Sequence, residues 1–183
     1  FDAIERGLSA LDGVPGRFQL ASGDGDDVTV IVDYAHTDDA LRSLLETARP
    51  LASGRLITVL GCGGDRDRTK RPLMGAVAGR LSDLIVITSD NPRGEDPNRI
   101  IEEILRGITP DTRRDSSQRI LTIPDRHEAI AMAIELARPG DLVLIAGKGH
   151  EKYQVIGAQI LAFDDVAVAR AALARRRTRS GVV

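Results

Sequence analysis

Runs of consecutive apolar residues alternate along the chain with segments whose apolar residues recur every three or four positions. The run at 84–87, Leu-Ile-Val-Ile, has no polar alternation, which is typical of a strand buried on both faces of a parallel sheet. With the shorter runs, the pattern predicts strands at 17–20, 28–32, 56–60, 84–87, 119–123 and 142–146. Helical spacing predicts helices that begin near residues 37, 72, 97, 125 and 164. This alternation predicts an α/β fold with a doubly wound, mainly parallel six-stranded sheet and helices on both faces.

The two ends of the chain have patterns of their own. Residues 1–12 have apolar residues at helical spacing, and we expect them to be the last helix of a preceding unit, because Gly-Val-Pro-Gly at 13–16 breaks the pattern. Since the chain begins with Phe rather than Met, we expect either a fragment of a longer protein or a processed product. Residues 155–163 predict a hairpin, and the arginine-rich end predicts a frayed, solvated tail. The resulting division is a helix end and linker at 1–14, a domain at 15–175 and a basic tail at 176–183.

Composition excludes several classes of function. The chain has 183 residues, 42% of them apolar, and a formal net charge of -2, which is ordinary for one domain and implies no nucleic-acid partner. With three Phe, two Tyr and no Trp, it has few platforms for base stacking. The single cysteine, Cys62, excludes an internal disulfide and fits a reducing cytoplasm, and we expect a buried thiol without chemistry. The sequence has no apolar run of membrane-spanning length and no signal peptide, so we expect no membrane partner.

Polar residues follow four of the predicted strands directly, at 33–36, 61–68, 90–93 and 147–151. In an open α/β sheet, ligands bind beyond the carboxyl ends of the parallel strands. Because each cluster interrupts an apolar strand where a cleft would form, we expect all four clusters to meet at one rim of the sheet.

The cluster after the strand at 84–87 contains the clearest candidate ligands. Asp90 places a carboxylate, Asn91 an amide and Arg93 a planar cation just beyond the strand, and Pro92 stiffens the corner. An ammonium group would pair with Asp90 and a carboxylate with the Arg93 fork, and an amino acid carries both groups. The same residue types are common in solvated turns, and this stretch alone does not separate the two interpretations.

The other clusters contain groups that could bind the same kind of ligand. Arg66 adds a second guanidinium fork and Glu151 a second carboxylate, so a ligand with two carboxylates and two amines would satisfy the set. Gly147 and Gly149 would let the backbone approach such a ligand closely. Lys148 would either attract a phosphate or fix the rim electrostatically.

Two well-known phosphate-binding motifs are incomplete in this sequence. The glycine-rich turn at 61–64 does not form a dinucleotide-binding fingerprint, because Arg66 occupies the position of its third glycine. The Gly-Lys pair at 147–148 does not form a P-loop, because Leu142 stands in place of the first glycine and Gly149 in place of the Ser or Thr.

Five motifs occur in order along the chain: Asp-Tyr-Ala-His-Thr at 33–37, Gly-Cys-Gly-Gly-Asp-Arg-Asp at 61–67, Lys-Arg-Pro at 70–72, Asp-Asn-Pro-Arg at 90–93 and Gly-Lys-Gly-His-Glu at 147–151. Together they resemble the carboxy-terminal domain of the Mur ligases, and among these the members that add meso-diaminopimelate. The resemblance extends from Gly13 to about the terminal helix.

The resemblance implies a Rossmann-like domain that binds the incoming amino acid in an ATP-dependent, amide-forming ligase of peptidoglycan precursor synthesis. The implied ligands of meso-diaminopimelate are Arg66, Asp90, Asn91, Arg93, Gly147 and Glu151. The implied contacts to nucleotide across a domain interface are Arg17, Asp33 and His36. Lysine-adding relatives depart from Asp-Asn-Pro-Arg at its second position, where this chain has Asn91.

The resemblance covers only one of the three domains of the family. It implies that ATP, Mg²⁺ and UDP-N-acetylmuramoyl-dipeptide are bound through the other two domains, in an enzyme of the cytoplasm. This chain alone is then expected to bind no cofactor or metal and to have no catalytic residue. Two alternatives stay open, a non-catalytic amino-acid-binding module and a related amide-forming ligase with another amino acid.

Overall fold

A computed structural model of the protein describes residues 13–179 and 181. The helix predicted for residues 1–12 lies outside the described residues. None of the described helices combines the length and the apolar character needed to cross a bilayer.

A six-stranded sheet forms the centre of the domain. Its strands are β1 (Gln19–Leu20), β2 (Thr29–Asp33), β3 (Leu56–Leu60), β4 (Leu84–Ile87), β5 (Arg119–Thr122) and β6 (Leu142–Ala146). The order across the sheet is β1-β2-β6-β3-β4-β5, with β1 antiparallel to β2 and all other pairs parallel. Every side chain of β3, β4 and β6 is buried, as their uninterrupted apolar runs predict. The predicted mainly parallel six-stranded sheet is confirmed.

Five α-helices among the described residues cover both faces of the sheet. They are α1 (Asp38–Ala48), α2 (Lys70–Leu81), α3 (Pro97–Leu105), α4 (Arg126–Leu136) and α5 (Asp165–Arg179). Helices α1, α2 and α3 pack on one face, around Leu41, Met74 and Ile104. Helices α4 and α5 pack on the other, around Ile130 and Ala169. The doubly wound arrangement is therefore confirmed.

Side-chain caps begin three of the helices where the sequence predicts them. Thr37 accepts a hydrogen bond from the Ala40 amide at 3.2 Å, and Asp125 accepts one from the Glu128 amide at 2.8 Å. Asp96 caps α3, which begins at a proline. Each cap fixes the residue at which its helix begins.

A second, two-stranded sheet is formed by β7 (Tyr153–Ile156) and β8 (Gln159–Ala162). The predicted hairpin is thus confirmed. Its position depends on contacts far along the chain, since the Arg93 amide donates to the Val155 carbonyl at 3.0 Å and the Gly157 amide donates to the Arg93 carbonyl at 2.7 Å. The hairpin therefore lies beside the predicted ligand cluster at 90–93.

Within the described part of the predicted tail, residues 176–179 are helical rather than frayed, although Arg179 is solvent-exposed as predicted. Helix α5 continues to Arg179, and the Arg176 side chain is only 16% exposed. Its guanidinium makes two hydrogen bonds of 2.7 Å to Asp27 and a third, of 2.8 Å, to the Ala137 carbonyl beyond α4. Arg177 pairs with Asp26. A run of arginines at a helix end is usually solvated, but here acidic partners from the 22–27 turn lie within reach.

Candidate functional site

The strand order brings the four polar clusters to one edge of the sheet. Strands β2, β6, β3 and β4 are consecutive neighbours and run in the same direction, so their carboxyl ends lie side by side. The segments 33–36, 147–151, 61–68 and 90–93 follow these ends in the same spatial order. The expected common rim is present.

Glycines allow the rim segments to touch one another. A Cβ atom at Gly16 would lie 2.0 Å from the His150 amide nitrogen, and one at Gly64 would lie 1.8 Å from the Pro92 carbonyl oxygen. Any side chain at these two positions would push the loops apart. The 13–18 turn therefore packs on the 147–151 segment, and the 61–68 loop packs on the 90–93 corner.

The side chains of the two predicted ligands Arg66 and Arg93 lie next to the same glycine. A Cβ atom at Gly63 would lie 2.9 Å from Arg93 Nη1 and 3.7 Å from Arg66 Cγ, so both side chains border the same glycine. Arg93 has a positive φ of 51° and donates from Nη1 to the Gly64 carbonyl at 2.9 Å. Arg66 is exposed and donates to the neighbouring Asp65 carbonyl at 3.0 Å. Both forks keep donors that a ligand could use.

Lys148 lies at the centre of the other half of the site. Its side chain is fully buried, and its ammonium donates to Asn91 Oδ1 at 2.9 Å and to the Tyr153 carbonyl at 2.8 Å. The same nitrogen lies 3.1 Å from Asp90 Oδ1 and 3.5 Å from Glu151 Oε2. Of the two roles that the sequence left open for Lys148, these contacts favour the second, which is to fix the rim electrostatically.

Asn91 connects this centre to the hairpin. The Asn91 residue is 3% exposed, and its Oδ1 accepts from the Val155 amide at 3.0 Å as well as from Lys148. Its Nδ2 donates to Glu151 Oε2 at 3.0 Å. One amide N–H is thus available to a ligand, and most of the hydrogen-bonding capacity of Asn91 holds its neighbours in place.

Asp90 and Gly147 face each other at the ends of β4 and β6. A Cβ atom at Gly147, where φ is 118°, would lie 3.7 Å from Asp90 Oδ2. Asp90 Oδ1 is buried and is held by the Lys148 charge without a well-aligned hydrogen bond. The Gly147 backbone and the second Asp90 oxygen therefore border the same space. Whether the six predicted residues contact diaminopimelate stays a prediction.

The residues predicted to contact nucleotide surround Tyr34, after β2. The guanidinium of Arg17 lies 4.4 Å above the centre of the Tyr34 ring, and the His36 ring packs edge-on against Tyr34 at 4.6 Å between ring centres. Lys70 donates to the His36 carbonyl at 2.8 Å. Cationic side chains with exposed polar groups are suited to a phosphate or a nucleotide.

Asp33 organises this second cluster. Its Oδ2 accepts from the Phe18 amide at 2.7 Å and its Oδ1 from the Ala35 amide at 2.8 Å. The Asp33 carbonyl accepts from the Gly147 amide at 3.1 Å, which joins the two halves of the rim. Asp33 therefore positions the turn that carries Arg17, and its contact with nucleotide stays a prediction.

Arg71 is a structural part of the rim that the sequence analysis did not single out. Its side chain is fully buried, binds Glu95 through both terminal nitrogens, at 3.0 and 2.9 Å, and also binds Glu103 at 2.7 Å. It donates to the Gly63 carbonyl at 3.0 Å as well. The only sequence signal was its place inside the Lys-Arg-Pro motif. Arg71 fixes the loop of Arg66 against α3.

Glu95 should make the contribution of this network to the stability of the fold depend on pH. The hydrogen bond from Arg71 is the largest cause that lowers the pKa of Glu95 from 4.5 to about 2. Because the folded pKa is the lower one, the contribution of Glu95 to the unfolding free energy is complete above about pH 4.5 and is lost as the pH falls towards 2. We expect Glu95→Gln to be less stable than the wild type at pH 7, with a deficit that shrinks as the pH falls from about 5 to 3.

Denaturant midpoints measured across that pH range would test this prediction. Glu102→Gln, at an exposed position of α3, is the matched control and should show no such trend. A deficit of Glu95→Gln that is the same at all pH values would contradict the assignment.

Cys62 is a buried thiol, as the sequence predicts. It is 2% exposed, and its Sγ lies 3.6 Å from Met74 Sδ. Burial raises the pKa of the thiol to about 12, so it stays protonated at neutral pH.

Comparison with known proteins identifies relatives of this domain. The family profile described as Mur ligase, glutamate ligase domain, matches residues 16–149. A UDP-N-acetylmuramoyl-L-alanyl-D-glutamate--2,6-diaminopimelate ligase from Gloeobacter violaceus is 55% identical over 178 residues, which cover 97% of this chain and 35% of that protein. The protein of the same name from Geobacillus thermodenitrificans is 51% identical over 174 residues, covering 95% and 34%.

Solved structures agree with this result. The structure of a UDP-N-acetylmuramoyl-L-alanyl-D-glutamate--2,6-diaminopimelate ligase matches with a TM-score of 0.80 at 45% identity, over 91% of this chain and 33% of that one. A bifunctional folylpolyglutamate synthase/dihydrofolate synthase from Yersinia pestis has a TM-score of 0.64 at 24% identity over 94% and 34%, so it shares the fold alone. The chain spans about a third of the length of these relatives. Over that third, it belongs to the Mur ligase family and carries the glutamate ligase domain.

Proposed function

We propose that this chain is the amino-acid-binding domain of an ATP-dependent ligase that adds meso-diaminopimelate to UDP-N-acetylmuramoyl-L-alanyl-D-glutamate. The observation that supports this most directly is the meeting of Arg66, Arg93, Asp90 and Glu151 at one rim, in a chain 55% identical to a ligase of that name. An enzyme that uses ATP and makes a peptidoglycan precursor would work in the cytoplasm.

The charges at the rim match this amino acid. Arg66 and Arg93 offer two guanidinium forks for its two carboxylates. Asp90, Glu151 and Lys148 together have a formal charge of -1, because the buried ammonium offsets one of the two carboxylates. By this count the cluster pairs with one ammonium group of the ligand rather than two. The second amine is then left without a carboxylate partner and is available to attack.

The contribution of this domain to catalysis is to hold and aim the amine. ATP supplies the phosphoryl group that activates the carboxyl group of the acceptor. The rim fixes the diaminopimelate, so that a new C–N bond forms when its free amine reaches the activated carbon, with loss of phosphate and a proton. Holding two reactants in one orientation can provide about 7–11 kcal/mol of the barrier reduction in favourable cases.

Arg17, Asp33 and His36 are proposed to contact the nucleotide. Tyr34 contacts both Arg17, which lies over its ring, and His36, which packs edge-on, so these side chains form one edge beside the amino-acid site and Arg17 supplies its cation. Within the described part of the chain, no group of three or more His, Cys, Asp or Glu side chains is arranged to hold a metal ion. That Mg²⁺ is bound by the rest of the ligase stays a proposal that rests on the resemblance to the Mur ligases.

Phosphate release by the full-length protein, given ATP and the UDP-N-acetylmuramoyl dipeptide, would test the proposal. We expect release with meso-diaminopimelate and much slower release with lysine, because lysine lacks the second carboxylate and would leave one guanidinium unpaired. Faster release with lysine would identify a related ligase. Amino-acid binding without release would identify a binding module. Either result would overturn the proposal.

A further inference from the structure

A buried ion pair lies beneath the rim, outside the set of predicted ligands. Arg126 is the first residue of α4 and Asp165 the first residue of α5, and both side chains are fully buried. Arg126 Nε donates to Asp165 Oδ1 at 2.8 Å and Nη2 donates to Asp165 Oδ2 at 2.7 Å. This bidentate geometry fixes the plane of the guanidinium.

The remaining donors of Arg126 point at the ends of two strands. Nη2 also donates to the Ala146 carbonyl at 3.1 Å, and Nη1 donates to the Ser89 carbonyl at 3.3 Å. Ala146 directly precedes Gly147, and Ser89 directly precedes Asp90. The guanidinium thus holds the last carbonyls before two residues of the proposed amino-acid site.

The hydrogen bonds of the sheet do not connect these two strand ends directly. Strands β4 and β6 are not hydrogen-bonded neighbours, because β3 lies between them. Beyond the last ladder bonds, the separation of their ends depends on other contacts. Arg126 bridges the two ends from the face covered by α4 and α5.

Core stability alone does not account for such a pair. Replacing a buried ion pair by apolar residues of similar volume is often neutral or stabilising, because the apolar pair avoids the cost of desolvating two charges. An apolar pair could fill the same space, but it could not donate hydrogen bonds to two carbonyls. The feature specific to Arg126 is therefore the link between the strand ends.

We propose that the Arg126–Asp165 pair is a positioning element that fixes the distance between Asp90 and Gly147 at the amino-acid site. Asp165 orients the guanidinium, and the guanidinium holds both strand ends. The kinetic part of this inference rests on the proposed function, whereas the structural part does not. The sequence gives no signal for it, because the 125–128 segment is an ordinary helix start and Asp165 follows another aspartate.

Two variants of the full-length protein would test the inference. The first is the double replacement R126M/D165L, which should keep the fold because neither charge is left unpaired. The second is Arg126→Lys, which keeps a cation but loses the planar fork. In both, we expect amide hydrogen exchange at residues 89–93 and 147–151 to become about tenfold faster without a matching loss of global stability.

The same variants should affect one substrate selectively. We expect the KM for diaminopimelate to rise about tenfold while the KM for ATP changes less than about twofold, because small displacements of positioning groups weaken the binding they organise. An ion pair that only stabilised the fold would not raise the KM for diaminopimelate while leaving the KM for ATP nearly unchanged.

The Arg55–Asp141 pair provides a matched control at the opposite edge of the sheet. Arg55 precedes β3 and Asp141 precedes β6, with a 2.6 Å contact between Arg55 Nη2 and Asp141 Oδ2. Like Arg126, Arg55 also donates to a backbone carbonyl, that of Leu136, at 2.8 Å. Arg55→Lys and R55M/D141L should leave both the exchange at the rim and the KM for diaminopimelate unchanged.

The outcomes separate this inference from the proposed function. Unchanged exchange at 89–93 and 147–151 in R126M/D165L, or in Arg126→Lys if the double variant does not fold, would overturn the inference. Equal effects of the Arg55 variants would also overturn it. A wild-type protein that releases no phosphate with diaminopimelate would refute the proposed function, and the exchange measurement would still decide the positioning role.

Discussion

Replacing Lys148 by methionine should lower the unfolding free energy of the chain by about 3–5 kcal/mol. The buried ammonium contacts Asp90, Asn91 and Glu151, so its removal leaves two carboxylates without their shared cation. Methionine has a similar length, so the loss would come from the missing charge and hydrogen bonds rather than from a cavity. Denaturant unfolding at neutral pH would measure the change.

Lys152→Met is the matched control for this experiment. Lys152 also pairs with an aspartate, Asp164, at 2.7 Å, but its side chain is 54% exposed. Exposed ion pairs contribute little, so we expect a loss of at most about 1 kcal/mol. Equal losses for the two lysine variants would contradict the role assigned to burial at Lys148.

A double-mutant cycle would show whether uncompensated charge is the cause. Adding Asp90→Asn to Lys148→Met removes one of the unpaired carboxylates, and we expect it to recover about 1–3 kcal/mol of the loss. Additive losses in the cycle would mean that Lys148 and Asp90 are not coupled, despite the 3.1 Å between Lys148 Nζ and Asp90 Oδ1.

Replacing Arg93 by alanine should raise the KM of the full-length ligase for diaminopimelate by about 10- to 150-fold. This range corresponds to one hydrogen-bonded contact between charged groups, which contributes about 1.5–3 kcal/mol. The KM for ATP should change little, because the residues proposed to contact nucleotide surround Tyr34, after β2. Steady-state kinetics with each substrate varied in turn would measure both constants.

Two further variants serve as controls for Arg93→Ala. Arg93→Lys keeps the charge but not the planar fork, so its KM should lie between those of the wild type and the alanine variant. Arg99→Ala removes an exposed arginine of α3 and should leave both constants unchanged. Equal increases in the KM for diaminopimelate and for ATP would contradict the assignment of Arg93 to the amino-acid site.

The rim itself followed from a general rule and from local patterns. Parallel strands place their carboxyl ends on one edge, and the apolar runs of β3, β4 and β6 marked where those ends lie. Caps at Thr37, Asp96 and Asp125 were visible for the same reason, since each depends on residues within four positions. Local interactions of this kind can be predicted without knowing the packing.

The contacts that organise the rim required coordinates. Lys148 binds Asn91, 57 residues earlier in the chain, and the hairpin joins the corner at 90–93 through Arg93 and Val155. The contacts of the arginine-rich end could not be predicted for the same reason, because Arg176 binds Asp27, which lies 149 residues away in the chain. Such partners are chosen by the distances between packed elements, which no local pattern of residues encodes.

The sequence by itself determined the class of fold, the edge of the sheet at which the polar clusters meet and the residue types proposed to bind an amino acid. The tertiary structure alone decided which buried side chains position the rim: Lys148 holds Asp90 and Glu151, Arg71 holds the loop at 61–68, and Arg126 binds two strand ends. The physical reason is that burial converts a charged side chain from a solvated group into one that must be paired, and only the packed fold defines what is buried and which partner is near.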